Sequence, residues 1–335
     1  MSIFNASNQR REIQRREIVA ILLKPVDQVE ILTLQDNFID IAAHDGTAIV
    51  QRPVSEDASG NRVSILAEHG FSAEVSLTSE GKTRKALFDF GFSEKGAVQN
   101  ARTLGVDLAE IEAMVLSHGH MDHHGGLPAF VESLGGKRIE LVLHPAALRG
   151  SRYIKLSEER RLRLPSPDRD RLEKAGVRVV PSQAPLPLLD GALLFLGEIP
   201  RRTDFEKGML KARYEEGGAE KFDPIEDDSA VVAHVKGKGL VILSGCAHSG
   251  IVNTVAYARE ATGVEPVFVV MGGFHLTGAD FEPVIGRTTE DLKTFNPRYI
   301  VPTHCTGRKA SMHIEREMPE QFLLNMSGTK MVFAA

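Results

Sequence analysis

Cysteine is scarce in this sequence, and long apolar runs are missing from it. The 335 residues include two cysteines, too few for a disulfide framework, so a reducing cytoplasm is the expected compartment. No apolar run approaches the length of a membrane span, and no apolar segment follows a basic start as in a signal peptide. We therefore expect no membrane partner.

Several common catalytic and binding signatures are also absent. The glycine-rich segments match neither the phosphate-binding loop GxxxxGK followed by Ser or Thr nor the dinucleotide-binding GxGxxG. A GxSxG nucleophile elbow is missing as well. The formal net charge of -5 lacks the basic footprint of a nucleic-acid binder. Nucleotide-cofactor chemistry and nucleic-acid partners are thus disfavoured.

The composition is that of a globular chain with a sizeable core, since 42% of the residues are hydrophobic and 25% are charged. Short β-branched runs alternate with helical stretches over the whole length, which indicates a layered α/β protein. The predicted strands are 29–34, 63–68, 85–90, 113–118, 139–144, 177–180, 192–199, 230–235, 240–245, 267–272 and 299–304. The predicted helices are 94–103, 124–134, 168–175, 249–261, 285–294 and 309–318.

The domain organisation is predicted from changes in composition. Residues 1–27 are expected to be an N-terminal extension, and residues 28–335 one domain. Within that domain, residues 145–228 are rich in Arg, Pro and Glu. We expect this stretch to be an insertion at the rim, partly helical and partly a long loop.

The most informative segment is LSHGHMDHHGGL, residues 116–127. It follows an apolar strand and precedes a Gly-Gly step, and a turn at a strand end can direct several side chains to a common point. Imidazoles and a carboxylate suit zinc and similar borderline metals. The segment therefore predicts a metal site whose ligands are His118, His120, Asp122 and His123.

This His-x-His-x-Asp-His motif resembles that of the metallo-β-lactamase superfamily. Further segments appear in a fixed order and extend the resemblance over roughly residues 28–310. They are similar to the subgroup named for 7,8-dihydropterin-6-methyl-4-(β-D-ribofuranosyl)aminobenzene-5'-phosphate synthase. The segments are EHGFSAEV (68–75), LFDFG (87–91), QNARTLGVDL (99–108), SGCAHSGIVNT (244–254), MGGFHL (271–276) and PTHCTG (302–307).

The resemblance implies an αββα four-layer sandwich with the metals at the sheet edges between two β-rich halves. His118 and His120 would bind one metal, and Asp122 and His123 a second. The family pattern also implies that His304, in PTHCTG, is the last metal-binding histidine. Asp89, in LFDFG, would support the ligand loop; its alternative is an ordinary turn residue at a strand end.

The middle of the chain departs from the superfamily pattern. Many members have a metal-bridging Asp where this sequence has Cys246, in SGCAHSG. We expect His248 to be the third ligand of the first metal, because an imidazole at a strand-to-helix turn is well placed and histidine is the commonest ligand; Asp228 is the alternative. Cys246 is either a bridging thiolate or a small buried residue, and both interpretations stay open. His275, in MGGFHL, would act as a ligand, a substrate contact or a proton donor.

The expected cofactor is one or two divalent ions, zinc by default, with manganese or iron as alternatives. The expected partner is a small-molecule substrate, phosphate-bearing or a cyclic ester, hydrolysed by metal-activated water. Asp122 would orient the nucleophile and His275 would protonate the leaving group. The alternatives are a synthase that joins a pterin diphosphate to an aromatic ribosyl phosphate, a non-catalytic ligand-binding protein, and a nuclease, which the acidic balance disfavours.

Overall fold

The structure is a computed structural model that describes residues 20–53 and 59–335. Within these ranges the chain forms eighteen strands and seven α-helices. In chain order the strands are β1 Gln28–Gln35, β2 Val50–Gln51, β3 Ser72–Ser79, β4 Lys82–Phe88, β5 Ile111–Val115, β6 Ile139–Leu143, β7 Arg152–Lys155, β8 Arg161–Leu164, β9 Val177–Pro181, β10 Leu186–Leu188, β11 Leu193–Phe195, β12 Ala212–Glu216, β13 Ala219–Phe222, β14 Ala230–Val235, β15 Gly239–Ser244, β16 Val267–Gly273, β17 Tyr299–Thr303 and β18 Lys330–Ala334. The helices are α1 Gly96–Thr103, α2 Met121–His124, α3 Leu127–Ser133, α4 Arg169–Lys174, α5 Ile251–Thr262, α6 Ile285–Thr294 and α7 Arg308–Glu317.

Two large sheets form the framework. The first has the strand order β2-β18-β1-β3-β4-β5-β6-β9, and the second has the order β10-β11-β14-β15-β16-β17. Within the first sheet β4, β5, β6 and β9 pair in parallel, and within the second β15, β16 and β17 do so. Because parallel neighbours need crossover connections, the chain passes through helices between them, and these helices cover the outer faces.

Three apolar clusters show how the layers stack. One cluster lies between the two sheets, where Val75 and Phe88 of the first meet Val231 and Met271 of the second. Another packs α1, α3 and α4 on the outer face of the first sheet. The third packs α5, α6 and α7 on the outer face of the second. Each sheet therefore buries both faces, and the predicted four-layer αββα sandwich is confirmed.

One predicted strand is wrong and a central strand was missed. Residues 63–68 form no strand, whereas β3 pairs with β1 on one side and β4 on the other. β3 has the sequence SAEVSLTS, and its first six residues are buried although three of them are polar. A search for apolar runs overlooks such a strand and selects VSILAE, which has the composition of a strand but no neighbouring strand to pair with.

The stretch 145–228 contains more β-structure than expected. β7, β8, β12 and β13 form a separate antiparallel sheet with the order β13-β12-β7-β8, while β9, β10 and β11 belong to the two large sheets. Its one α-helix is the six-residue α4. α4 matches the predicted helix 168–175, and residues 196–211 contain no helix or strand, while the additional strands were not predicted. The position of the stretch as a rim insertion stays a prediction. Some of the charged residues that suggested solvated helices lie on exposed strand positions, as in β8, whose sequence is RLRL.

The predicted N-terminal extension falls largely outside the described residues, since description begins at residue 20. Beyond that point Leu23 is buried in the core of the second sheet, and the Ile21 N–H donates to the Ala261 carbonyl at 2.7 Å. The boundary at residue 27 stays a prediction. In the described part of the chain, none of the helices has both the length and the apolar character that crossing a bilayer requires. The cytoplasmic location stays a prediction as well.

Candidate metal centre

The histidine-rich loop occupies the end of β5 at the edge of the first sheet. The backbone is extended at His120, and α2 begins at the next residue, so Asp122 and His123 lie on the first turn of that helix. Gly119 packs against the chain at Ala147, where a Cβ atom would come within 2.3 Å of the Ala147 carbonyl oxygen. A glycine is therefore required at the centre of the His118–His120 pair.

A first donor group consists of three buried imidazoles, those of His118, His120 and His248. One ring nitrogen from each lies within 4.8 Å of the others. Among the described residues, His118 Nε2, His120 Nε2 and His248 Nδ1 are buried and have no hydrogen-bond partner. His248 Nε2 and His120 Nδ1 lie 3.1 Å apart. An unpartnered buried polar atom is costly, and three buried imidazoles gathered this closely fit a divalent ion. This is the ligand set expected for the first metal with His248 as the third ligand.

The electrostatics of this group favour neutral imidazoles. Burial lowers the pKa of His118 well below its ordinary value and that of His120 to about 4. Burial, together with the neighbouring His275, also lowers the pKa of His248 well below its ordinary value. Neutral imidazole is the form that ligates metals, so no proton has to be displaced from these rings.

A second donor group lies beside the first and contains mixed ligand types. Its four donor atoms, one from each residue, lie within 4.8 Å of one another. The His304 Nε2 to Asp122 Oδ2 distance is 3.1 Å, and the His123 Nε2 to Cys246 Sγ distance is also 3.1 Å. Carboxylate, imidazole and thiolate are all zinc ligands. The members are Asp122, His123, Cys246 and His304.

In the second donor group, neighbouring ionisable side chains shift one another's pKa. Burial lowers the pKa of His123, but the carboxylates of Asp89 and Asp122 outweigh this and raise it to about 9. The pKa of Asp122 lies well below its ordinary value, because His123 and His304 outweigh the opposing effect of burial. Burial raises the pKa of the Cys246 thiol. A bound cation would reverse that effect, because a coordinating thiol loses its proton.

Hydrogen bonds behind the ligands hold the imidazole rings in place. Asp89 Oδ2 lies 2.6 Å from His123 Nδ1 and accepts from Ser117 Oγ at 2.7 Å; that hydroxyl is 2.9 Å from His118 Nδ1. His304 Nδ1 lies 3.0 Å from Asn37 Oδ1. Such partners fix the ring orientation and the tautomer of a ligating histidine. Asp89 therefore makes the supporting contact that the family pattern implied for it.

Asp228, the alternative third ligand, is directed elsewhere. Its Oδ2 accepts a hydrogen bond from the Ser249 N–H at 2.8 Å. In the described ranges it belongs to neither donor group. Burial raises its pKa to about 6. The structure thus places His248 toward the first group and Asp228 behind the loop that carries His248.

His275 lies at the edge of the centre rather than in either main group. Its ring is tilted by 51° against that of His248, at a centroid distance of 4.2 Å, and meets Phe281 edge-on at 4.5 Å. His275, His248 and Cys246 form a third set of donors within 4.8 Å. His275 and His248 also line a cavity of about 340 Å³, whose wall includes Phe205, Phe281, Lys207 and Arg287. His275 therefore lies between the two donor groups and this cavity.

Left-handed backbone conformations recur in the ligand loops. The φ angles are +51° at Ala247, +47° at His275 and +44° at His304. Non-glycine residues adopt this region rarely, at a cost of about 1–3 kcal/mol each, and it concentrates at functional sites. The surrounding sheet ends hold these loops in conformations that aim their side chains inward.

Sequence patterns missed several residues that contact the ligands. Asn37 hydrogen-bonds His304, and His69 Nε2 lies 3.5 Å from Asp122 Oδ2; neither residue has a role predicted from the sequence. Arg201 donates to the His248 carbonyl at 2.5 Å. The signal available for His69 was its place in the EHGFSAEV segment. Asn37 and Arg201 carry no local pattern, because their partners are distant in sequence.

Comparisons with known proteins agree with this architecture. A family model described as the metallo-beta-lactamase superfamily matches residues 77–259. The chain is 33% identical over 272 residues to the 7,8-dihydropterin-6-methyl-4-(beta-D-ribofuranosyl)-aminobenzene-5'-phosphate synthase of Methanocaldococcus jannaschii, covering 80% of this chain and 91% of that protein. An uncharacterized protein of the same organism is 31% identical over 251 residues, covering 73% of this chain and 86% of that protein.

Among solved structures, the chain is similar to the crystal structure of Tm1679, described as a metal-dependent hydrolase of the beta-lactamase superfamily. The identity is 25% and the TM-score is 0.67. The match covers 92% of this chain and 100% of that chain.

Proposed function

The chain belongs to the metallo-β-lactamase superfamily, and from that premise we propose that it is a metal-dependent hydrolase of a small phosphate-bearing or cyclic-ester molecule. The observation that carries the proposal is the pair of adjacent donor groups. His118, His120 and His248 would hold one divalent ion. Asp122, His123, Cys246 and His304 would hold the second. Zinc suits both sets, and manganese or iron are the alternatives.

A divalent ion in such a site acidifies water and polarises a phosphoryl or carbonyl oxygen. The side chains supply the rest of the chemistry. Asp122 is held by the His304 ring at 3.1 Å and would orient the attacking water. His275 Nδ1 is buried and has no partner among the described residues, so it can carry a proton for the leaving group. The neighbouring cavity would exclude bulk water around the reacting bond.

The cavity wall supports the choice of substrate class. Phe205 and Phe281 offer aromatic surface, and Lys207 offers positive charge beside His275, while Arg287 pairs with Asp204 at 2.6 Å. A planar ring would pack on the aromatic surface, and a phosphate group would pair with Lys207.

A synthase is the second candidate function, favoured by a specific observation. The Methanocaldococcus jannaschii relative, matched over 91% of its length, is named for synthesis of a dihydropterin joined to a ribofuranosylaminobenzene phosphate. The same ions would serve displacement at a carbon that bears diphosphate. Since one fold hosts many reactions, the two candidates are separated by the products formed.

The test begins with elemental analysis of protein purified without chelator and again after reconstitution. We expect one or two transition-metal ions per chain; protein without metal after both steps would refute the proposal. The loaded protein is then incubated with a phosphoester, a lactone, or a pterin diphosphate with and without an aminobenzene ribosyl phosphate. Hydrolysis predicts product release without a second substrate. Diphosphate release only when both substrates are present would replace the hydrolase proposal with the synthase.

A further inference from the structure

The segment Asp227–Ser229, just before β14, lies between the two loops that carry the first donor group. On one side Asp227 Oδ2 accepts the Gly119 N–H at 2.7 Å, and the Ser229 N–H donates to the Ser117 carbonyl at 3.0 Å. On the other side Asp228 Oδ2 accepts the Ser249 N–H at 2.8 Å. Three consecutive residues thus hold both the loop of His118 and His120 and the loop of His248.

The Asp227 half of this segment is held by a buried ion pair. Arg152, in β7 of the four-stranded sheet, is 2% exposed and donates to both carboxylate oxygens of Asp227, with 2.9 Å between Nη1 and Oδ2. Its Nε donates to Asp223 Oδ2 at 2.7 Å. Burial opposes ionisation of Asp227, but the Arg152 charge outweighs it and holds the pKa below its ordinary value. A charged acceptor therefore faces the Gly119 N–H.

The Asp228 carboxylate has no ion-paired cation within residues 20–53 and 59–335. Its Oδ2 holds Ser249, the residue that follows His248, and among the described residues its buried Oδ1 has no partner. Arg201 holds the same loop from outside through the His248 carbonyl. Asp227 and Asp228 therefore accept hydrogen bonds from backbone N–H groups next to the ligating histidines, and not from the histidine rings.

We propose that Asp227 and Asp228 are positioning residues that set the separation of the two loops of the first donor group, and so its metal affinity. This rests on the proposed metal centre. The segment suits the role because β14 follows it at once, buried within the second sheet, and a rigid element holds ligands more accurately than a loop. Contacts behind ligands typically contribute about 10–100-fold in metal affinity.

The chain offers a matched control for Asp227. Asp223 is also buried and also pairs with Arg152, but its hydrogen bonds reach neither ligand loop. Asp227→Ala and Asp223→Ala should therefore lower the melting temperature of the metal-free protein to a similar extent. Only Asp227→Ala should weaken cobalt binding to the first donor group, by about 10–100-fold. The absorption of a Cys246 thiolate–cobalt bond identifies the second donor group, which should be less affected.

Conservative variants separate positioning from general stability. An amide oxygen in Asp227→Asn can still accept the Gly119 N–H, and in Asp228→Asn it can still accept the Ser249 N–H. We expect both Asn variants to bind cobalt nearly as tightly as the wild type, while Asp228→Ala loses about 10–100-fold. If Asp227→Ala fails to fold, the difference in cobalt affinity between Asp228→Ala and Asp228→Asn tests the positioning role.

Three results can be told apart. Wild-type protein that binds no cobalt contradicts the proposed function itself. If the wild type binds two ions, and the Ala variants of Asp227 and Asp228 bind as tightly as the Asn variants, only the positioning role is overturned. Equal loss of affinity in Asp227→Ala and Asp223→Ala also overturns it, because the effect then follows the ion pair rather than the contact with Gly119.

Discussion

Asp89→Asn tests whether the contacts behind the ligands determine metal affinity. The two carboxylate oxygens of Asp89 take three donors, namely Ser117 N, Ser117 Oγ and the His123 ring, at 2.6–2.7 Å. An amide has one acceptor oxygen, so its NH₂ group must face at least one of these donors. Asn tolerates the left-handed backbone that position 89 adopts, with φ of +56°, so the substitution adds no backbone strain.

The expected loss follows from the hydrogen bond that is broken. A hydrogen bond to a charged group contributes about 1.5–3 kcal/mol. Since about 1.4 kcal/mol is tenfold in affinity, the second donor group should bind its ion roughly 10- to 150-fold more weakly. Zinc competition against a chromophoric chelator measures this directly, with circular dichroism to verify folding and Asp223→Asn as the control that alters a buried carboxylate elsewhere.

The reasoning would be refuted by folded Asp89→Asn protein that holds zinc as tightly as the wild type. In that case His123 needs no fixed orientation to ligate. An equal loss in Asp223→Asn would point to general loosening of the chain instead.

Three further results are expected. His118→Ala should abolish activity while far-UV circular dichroism stays unchanged, because the sandwich has its own core; an unfolded variant would show that the site is structural. His248→Ala should lose more metal affinity than Cys246→Ser, and the reverse order in binding titrations would make the thiolate the dominant ligand. Burial raises the pKa of Glu206 from 4.5 to about 7, so folded protein holds this proton to higher pH than unfolded protein. Its contribution to stability is therefore full below pH 4.5 and is lost as the pH rises through 7. The free energy of unfolding of metal-free wild type, measured by urea denaturation, should decrease between pH 5 and 8 relative to that of Glu206→Gln. The same pH dependence in both proteins would contradict the raised pKa of Glu206.

The parts of the site that lie close together in sequence were predictable. His118, His120, Asp122 and His123 share one loop, so their spacing alone indicated a metal site. His248 was inferred from its place at a strand-to-helix turn, and β15 and α5 do flank it. The assignment of ligands to ions stays a prediction that metal binding must test.

The contacts behind the ligands were not predictable, because they join residues far apart in sequence. Asp227 and Gly119 are 108 positions apart, and Asn37 and His304 are 267 apart. A single Asp or Asn in a loop has many ordinary explanations, and only the fold selects one. The same reason explains β3, whose polar residues are buried because strands pair on both sides of it.

Each donor group draws residues from both halves of the chain, and this has a consequence for the order of assembly. His120 and His248 are 128 positions apart, and Asp122 and His304 are 182 apart. During synthesis the histidine-rich loop emerges long before either late ligand, so neither group can be complete until most of the chain has been made. We therefore expect metal uptake to follow folding instead of starting it, in contrast to zinc fingers. Denatured protein refolded in chelator should regain native circular dichroism first and bind zinc afterwards; a requirement for metal during refolding would contradict this order.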